Sequence, residues 1–165
     1  MASARENETL TAGQHAPDFK LKDLDGGERR LADLLPAGPV LLAFFKVSCP
    51  TCQFTLPFLD RIHRGGAGSA ARMFVISQDD AEVTREFHKE FGITMPTLLD
   101  AAQGGYPASN AYGLAYVPTM FLIERDGTIS WSLTGFNRKE LDALGRKFGV
   151  STFRPGERVP EMKSG

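Results

Sequence analysis

Two cysteines lie three positions apart in Cys49-Pro50-Thr51-Cys52, and the chain has no others. A pair at this spacing can supply half of a zinc site, sit inert in a core, or make and break a disulfide. Structural zinc takes four ligands, and the chain adds only three scattered histidines, His15, His63 and His88. Inert burial fits poorly with a pair set where an apolar strand hands over to a helix. The redox couple is the strongest of the three readings. With Cys49 near the helix N-cap, its sulfur faces unpaired backbone N–H groups and the positive end of the helix dipole. Both favour the thiolate, which is the nucleophile. Pro50 suits the first turn, where no intrahelical N–H bond is lost. Cys52 lies on the same side of the helix but deeper. Cys49 is therefore expected to attack and Cys52 to resolve, with no metal or organic cofactor. Thr51 offers only a neutral hydroxyl. Lys46 reads as a strand-end charge turned to solvent rather than a source of positive potential at the pair.

The elements around the pair alternate. Phe19-Lys20-Leu21 reads as a short strand that Asp25-Gly26-Gly27 turns back toward Arg30, and Leu31, Leu34 and Leu35 read as a helical turn. Val40 to Phe45 is uninterrupted and apolar, as a strand buried on both faces must be. After the cysteines, Thr55, Phe58, Leu59 and Ile62 follow a helical period, with Pro57 predicting a kink and Gly65-Gly66 a stop. Arg72 to Ser77 reads as a second buried strand. Asp79 and Glu82 read as the cap of a helix carrying Val83, Phe87 and Phe91. Thr97-Leu98-Leu99 reads as extended and Ala108 to Tyr112 as a short helix. Val117-Pro118-Thr119 opens a strand, a position that tolerates proline. Thr119 to Ile123 and Thr128 to Leu133 form a hairpin through Asp126-Gly127. Asn137 with Glu140 caps a last helix with Leu141, Leu144 and Phe148. Residues 1–12 are expected to be a flexible arm, 13–150 the domain, and 151–165 an unstructured tail.

Composition sets the outer bounds. The chain has 165 residues, 42% of them hydrophobic, and a net charge of −1. That is enough apolar material for one full core. The charge balance argues against a nucleic-acid protein, whose phosphate contacts require a basic face. The longest apolar run, Pro39 to Phe45, is far short of the ~20 residues of a membrane span. The first ten residues lack the apolar centre of a signal peptide. A cytoplasmic location is expected for the chain as it begins here, and an extracytoplasmic one if a signal has been removed.

Several of these segments together resemble the alkyl hydroperoxide reductase/thiol-specific antioxidant branch of the thioredoxin superfamily, and within it the TlpA-like thiol-disulfide oxidoreductases. They are Gly13 to Phe19, the strand entering Cys49-Pro50-Thr51-Cys52, Pro57, Val117-Pro118-Thr119 and Asp126-Gly127. The resemblance covers roughly residues 13 to 149. It implies an α/β thioredoxin fold with an N-terminal β-hairpin extension and a mixed central sheet flanked by helices. It also implies a cis Val117–Pro118 bond beside the cysteines, with the Val117 backbone free to pair with an extended substrate segment. The implied function is thiol-disulfide exchange on protein dithiols and disulfides, fed by an upstream thiol donor, in a monomer.

The sequence departs from relatives at three places. Ser48 stands where thioredoxins usually have Trp, Ala43 where thioredoxin has a buried acid, and Thr55 where some relatives have glutamate. No carboxylate is thus evident as a proton acceptor for Cys52. The alternatives are a peroxiredoxin-like peroxidase and a non-enzymatic binding module. Against the first, Leu42 and Lys46 replace the Pro and Thr of the peroxidatic pattern. Against the second stand the intact pair and Pro118.

Overall fold

The structure is a computed structural model and describes residues 8–67, 69 and 71–165. Its centre is strand β3 (Val40–Phe45), six apolar residues buried from end to end. Because side chains alternate across a strand, β3 feeds two cores at once. Leu41, Ala43 and Phe45 pack on one face with Cys52, Leu56 and Leu59. Val40, Leu42 and Phe44 pack on the other with Tyr112 and Phe121. Strand β4 (Arg72–Ser77) lies parallel to β3, and β5 (Thr97–Leu99) parallel to β4. On the other side, β6 (Thr119–Ile123) and then β7 (Ile129–Thr134) add antiparallel neighbours. The hairpin of β1 (Lys20–Asp23) and β2 (Glu28–Arg30) extends the sheet beyond β5. The seven-stranded order is β2-β1-β5-β4-β3-β6-β7.

Short helices α1 (Leu31–Leu34) and α4 (Pro107–Ala111) cover one face. The other carries α2 (Pro50–Gly65), α3 (Ala81–Phe91) and α5 (Arg138–Lys147). Helix α2 runs on through Pro57. This is the expected α/β thioredoxin architecture with its hairpin extension and mixed sheet.

Two expectations need correction. The cap of α3 is Asp80, whose carboxylate accepts from Val83 N–H at 2.9 Å, not Asp79. The neighbouring Asp79 instead accepts from Val47 N–H at 2.8 Å. The tail is not unstructured. Thr152 is buried and its hydroxyl donates to Leu141 O at 2.8 Å, in a space that Gly145 leaves free. Phe153 packs on Phe58, with ring centroids 5.0 Å apart. Strand β9 (Met162–Lys163) pairs antiparallel with β8 (Phe136–Asn137). Residues 1–7 of the expected arm lie outside the described residues. Farther along that arm, Thr9 Oγ1 donates to Gly113 O at 2.7 Å and Leu10 N–H to Tyr112 O at 3.1 Å.

Candidate active site

The site forms where β3 ends and α2 begins. Strand β3 delivers the chain to Lys46, and a turn closes with Cys49 N–H donating to Lys46 O at 3.2 Å. Cys49 is then the N-cap of α2, with extended backbone (φ −84, ψ 114), and Pro50 occupies the first turn. The Cys49 Sγ accepts the Cys52 backbone N–H at 3.1 Å. A cysteine at this position does for the helix what a serine or aspartate cap does, so the helix end and the sulfur are built by the same bond. Two side chains brace the turn. Gln53 Nε2 donates to Val47 O at 2.9 Å, and Asp79 holds the Val47 N–H.

The two sulfurs differ in surroundings. Both are free thiols, Cys49 half-buried and Cys52 fully enclosed among core side chains. Burial first, and the neighbouring Cys49 second, push the Cys52 thiol well above the ordinary cysteine range. The Lys46 backbone works weakly in the opposite direction. Lys46 therefore meets the pair through its peptide group, while its side chain is exposed, as expected.

The loop before β6 closes the site from the other side. The Val117–Pro118 peptide bond is cis. The Cys49 thiol donates to Val117 O at 3.4 Å, which brings together two motifs 68 residues apart. Pro118 is buried, and its carbonyl accepts from Gly135 N–H at 2.8 Å. Thr119 is also buried and braces the loop, its hydroxyl donating to Tyr116 O at 2.7 Å. The Thr51 hydroxyl donates to Ser164 O at 2.6 Å. Among the described residues, no three His, Cys, Asp or Glu side chains gather as a metal set would.

Sequence reasoning missed Asp79, Gln53 and the tail residues at Thr51. Asp79 carried a signal, since two adjacent aspartates cannot both cap one helix.

The pattern of the AhpC/TSA family matches residues 12–132. The chain belongs to that family. It is similar to the thiol-disulfide oxidoreductase ResA of Geobacillus thermodenitrificans, 31% identical over 136 residues that span 82% of this chain and 76% of that protein. ResA of Bacillus anthracis is 26% identical over the same shares. With these relatives, the AhpC/TSA chain described here is an oxidoreductase of the thiol-disulfide class. Its fold is similar to the thioredoxin domain of a Bacteroides vulgatus thiol-disulfide oxidoreductase, with a TM-score of 0.74 at 20% identity over 85% of this chain and 99% of that one. It is also similar to the peroxidoxin BcpB of Mycobacterium tuberculosis, with a TM-score of 0.68 at 25% identity over 84% and 96%. Among the described residues no helix is long and apolar enough to cross a membrane.

Proposed function

We propose that this protein exchanges disulfides with protein partners through a Cys49–Cys52 dithiol–disulfide couple. The observation that carries this reading is the placement of Cys49 Sγ at a helix N-cap, half-exposed, against Val117 O and above an enclosed Cys52. Cys49 attacks one sulfur of a partner disulfide; that S–S bond breaks and a Cys49–partner mixed disulfide forms. The partner releases its first sulfur as a thiolate. Cys52 then attacks Cys49 Sγ, forming the Cys49–Cys52 disulfide and freeing the partner's second sulfur. The Cys52 proton passes to the thiolate the partner released first. Two electrons move to the partner, and an upstream dithiol returns them to this chain.

The high pKa of Cys52 supports the division of roles. A thiol that holds its proton does not compete for the partner and attacks only once the mixed disulfide lies against it. The Val117 carbonyl and the Thr119 brace shape the surface on which the partner lies.

The Cys52→Ser variant, mixed with oxidised protein substrate, should accumulate mixed disulfides on Cys49, visible as thiol-sensitive high-mass bands. Cys49→Ser should give few. The full chain should speed dithiothreitol-driven insulin reduction. Trapping through Cys52 in the Cys49→Ser variant would reverse the roles. Turnover of hydrogen peroxide without insulin reduction would favour the peroxidase alternative.

A further inference from the structure

Residues 162–165 lie against the candidate site. Met162–Lys163 adds as an antiparallel strand to Phe136–Asn137. Ser164 O then accepts the Thr51 hydroxyl at 2.6 Å, inside the Cys49-to-Cys52 motif itself. Gly165 packs on the Val117 carbonyl so closely that a Cβ on it would stand 2.5 Å from that oxygen. This is the same carbonyl that receives the Cys49 thiol. Across the strand, Gly135 at φ +80 makes room, since a Cβ there would fall 2.6 Å from Lys163 O. Lys163 Nζ sits 5.0 Å above the Phe54 ring.

The seat and its occupant are differently held. Upstream, Thr152 is buried, Phe153 is wedged on Phe58, and Glu157 makes a two-pronged bond to Arg61 at 2.7 and 3.0 Å. From Glu161 to Gly165 every residue is exposed. A segment held by a few exposed backbone bonds opens readily while its buried anchor stays in place.

We propose that Met162–Gly165 is a displaceable strand occupying the groove in which a partner's extended, cysteine-bearing segment docks. The proposal rests on the disulfide-exchange reading above and adds the binding mode and a built-in competitor. The groove accepts extended backbone by strand addition to Phe136–Asn137, with the Thr51 hydroxyl and the Val117 carbonyl as further partners. A substrate must lift the tail to reach Cys49, so only segments that replace its bonds gain entry.

The test compares the full chain with one ending at Pro160, both reduced. The label is a maleimide carrying a long polyethylene glycol chain, with iodoacetamide as the small control. A strand docked about four-fifths of the time lowers access about fivefold. Removing residues 161–165 should therefore speed Cys49 labelling by the bulky reagent about fivefold and leave iodoacetamide within about twofold. Insulin reduction should quicken by a similar factor. A full-length variant with Met162→Pro and Lys163→Pro, which disrupts the pairing, should behave the same way. Unchanged bulky labelling in both variants, or slower insulin reduction, overturns the proposal. Labelling needs no exchange activity. Faster labelling with no insulin reduction in any chain would support the displaceable strand and refute the exchange reading. Brisk and equal exchange in all three would do the reverse.

Discussion

At Cys49 one sulfur caps a helix and stands half-exposed at its start, and the helix start itself sets its position. Its partner Cys52 is the opposite case, enclosed and held protonated by burial. One turn further along α2, Thr55 is fully buried and its hydroxyl has no hydrogen-bond partner among the described residues. A buried unpaired hydroxyl is costly, and valine has nearly the same shape. Thr55→Val should raise unfolding stability by about 1 kcal/mol in urea titrations. A loss of that size would mean the hydroxyl has a role in the fold that its neighbours do not reveal. The placement of the two thiols at a strand-to-helix junction was legible in the sequence, because an apolar run ends just before them and a helical period starts just after. The bond from Val47 N–H to Asp79 was not, because the spacing of Asp79 to Glu82 matches a capping box.

Elements show the same division. Strands β3, β4 and β6 have the bounds read from the sequence, because each is built on an apolar run (Val40–Phe45, Met73–Ile76 and Met120–Ile123) that packs into the sheet. Asn137 caps α5 as its spacing with Glu140 predicts, its side chain accepting from Glu140 N–H at 3.0 Å. The packing of α3 against β5 carries a titratable contact that no pattern announces. His88 Nε2 lies 2.7 Å from Thr97 Oγ1, and the ring stacks on Phe45. Burial lowers the His88 pKa below 6.5, with the Asp60 charge pulling it back in part. The unfolded chain thus binds a proton that the folded chain resists. The contribution of His88 to stability is complete above about pH 6.5 and falls as pH drops below it. Urea midpoints should decline from about pH 7.5 to about pH 5, and His88→Gln should flatten part of that decline. Identical pH profiles for the two proteins would refute this.

For the whole molecule, the tail is the largest departure from the sequence reading. Arg154-Pro155-Gly156 and Pro160 are turn formers without period, so 151–165 looks loose when read locally. What orders it is long-range. Thr152 reaches Leu141, Phe153 reaches Phe58, and Glu157 reaches Arg61. Phe153, an aromatic in a polar stretch, was the one local hint. Hydrogen bonds from Arg61, then from the Arg154 backbone, lower the Glu157 pKa from 4.5 to about 2. A lowered carboxylate stabilises docking above its unfolded value. The tail should hold at neutral pH and loosen as pH falls from 4.5 through about 2. The exchange protection of the Arg154 and Glu157 amides should fall over that range, and in Arg61→Ala it should already be low at neutral pH. Protection unchanged down to the lower limit would refute the role of the pair.

If Cys49 and Cys52 form one reversible two-electron couple, equilibration against a glutathione redox series with peptide mass mapping will read it out. The Pro-first order of Cys49-Pro50-Thr51-Cys52 places the expected midpoint above thioredoxin's roughly −270 mV and below the roughly −120 mV of the strongest oxidants. A single transition is expected between those limits, about 30 mV per tenfold change in the ratio, with a Cys49–Cys52 bridge in the oxidised form. Two thiols persisting across the series, or glutathione held on Cys49 with Cys52 unreacted, would contradict it.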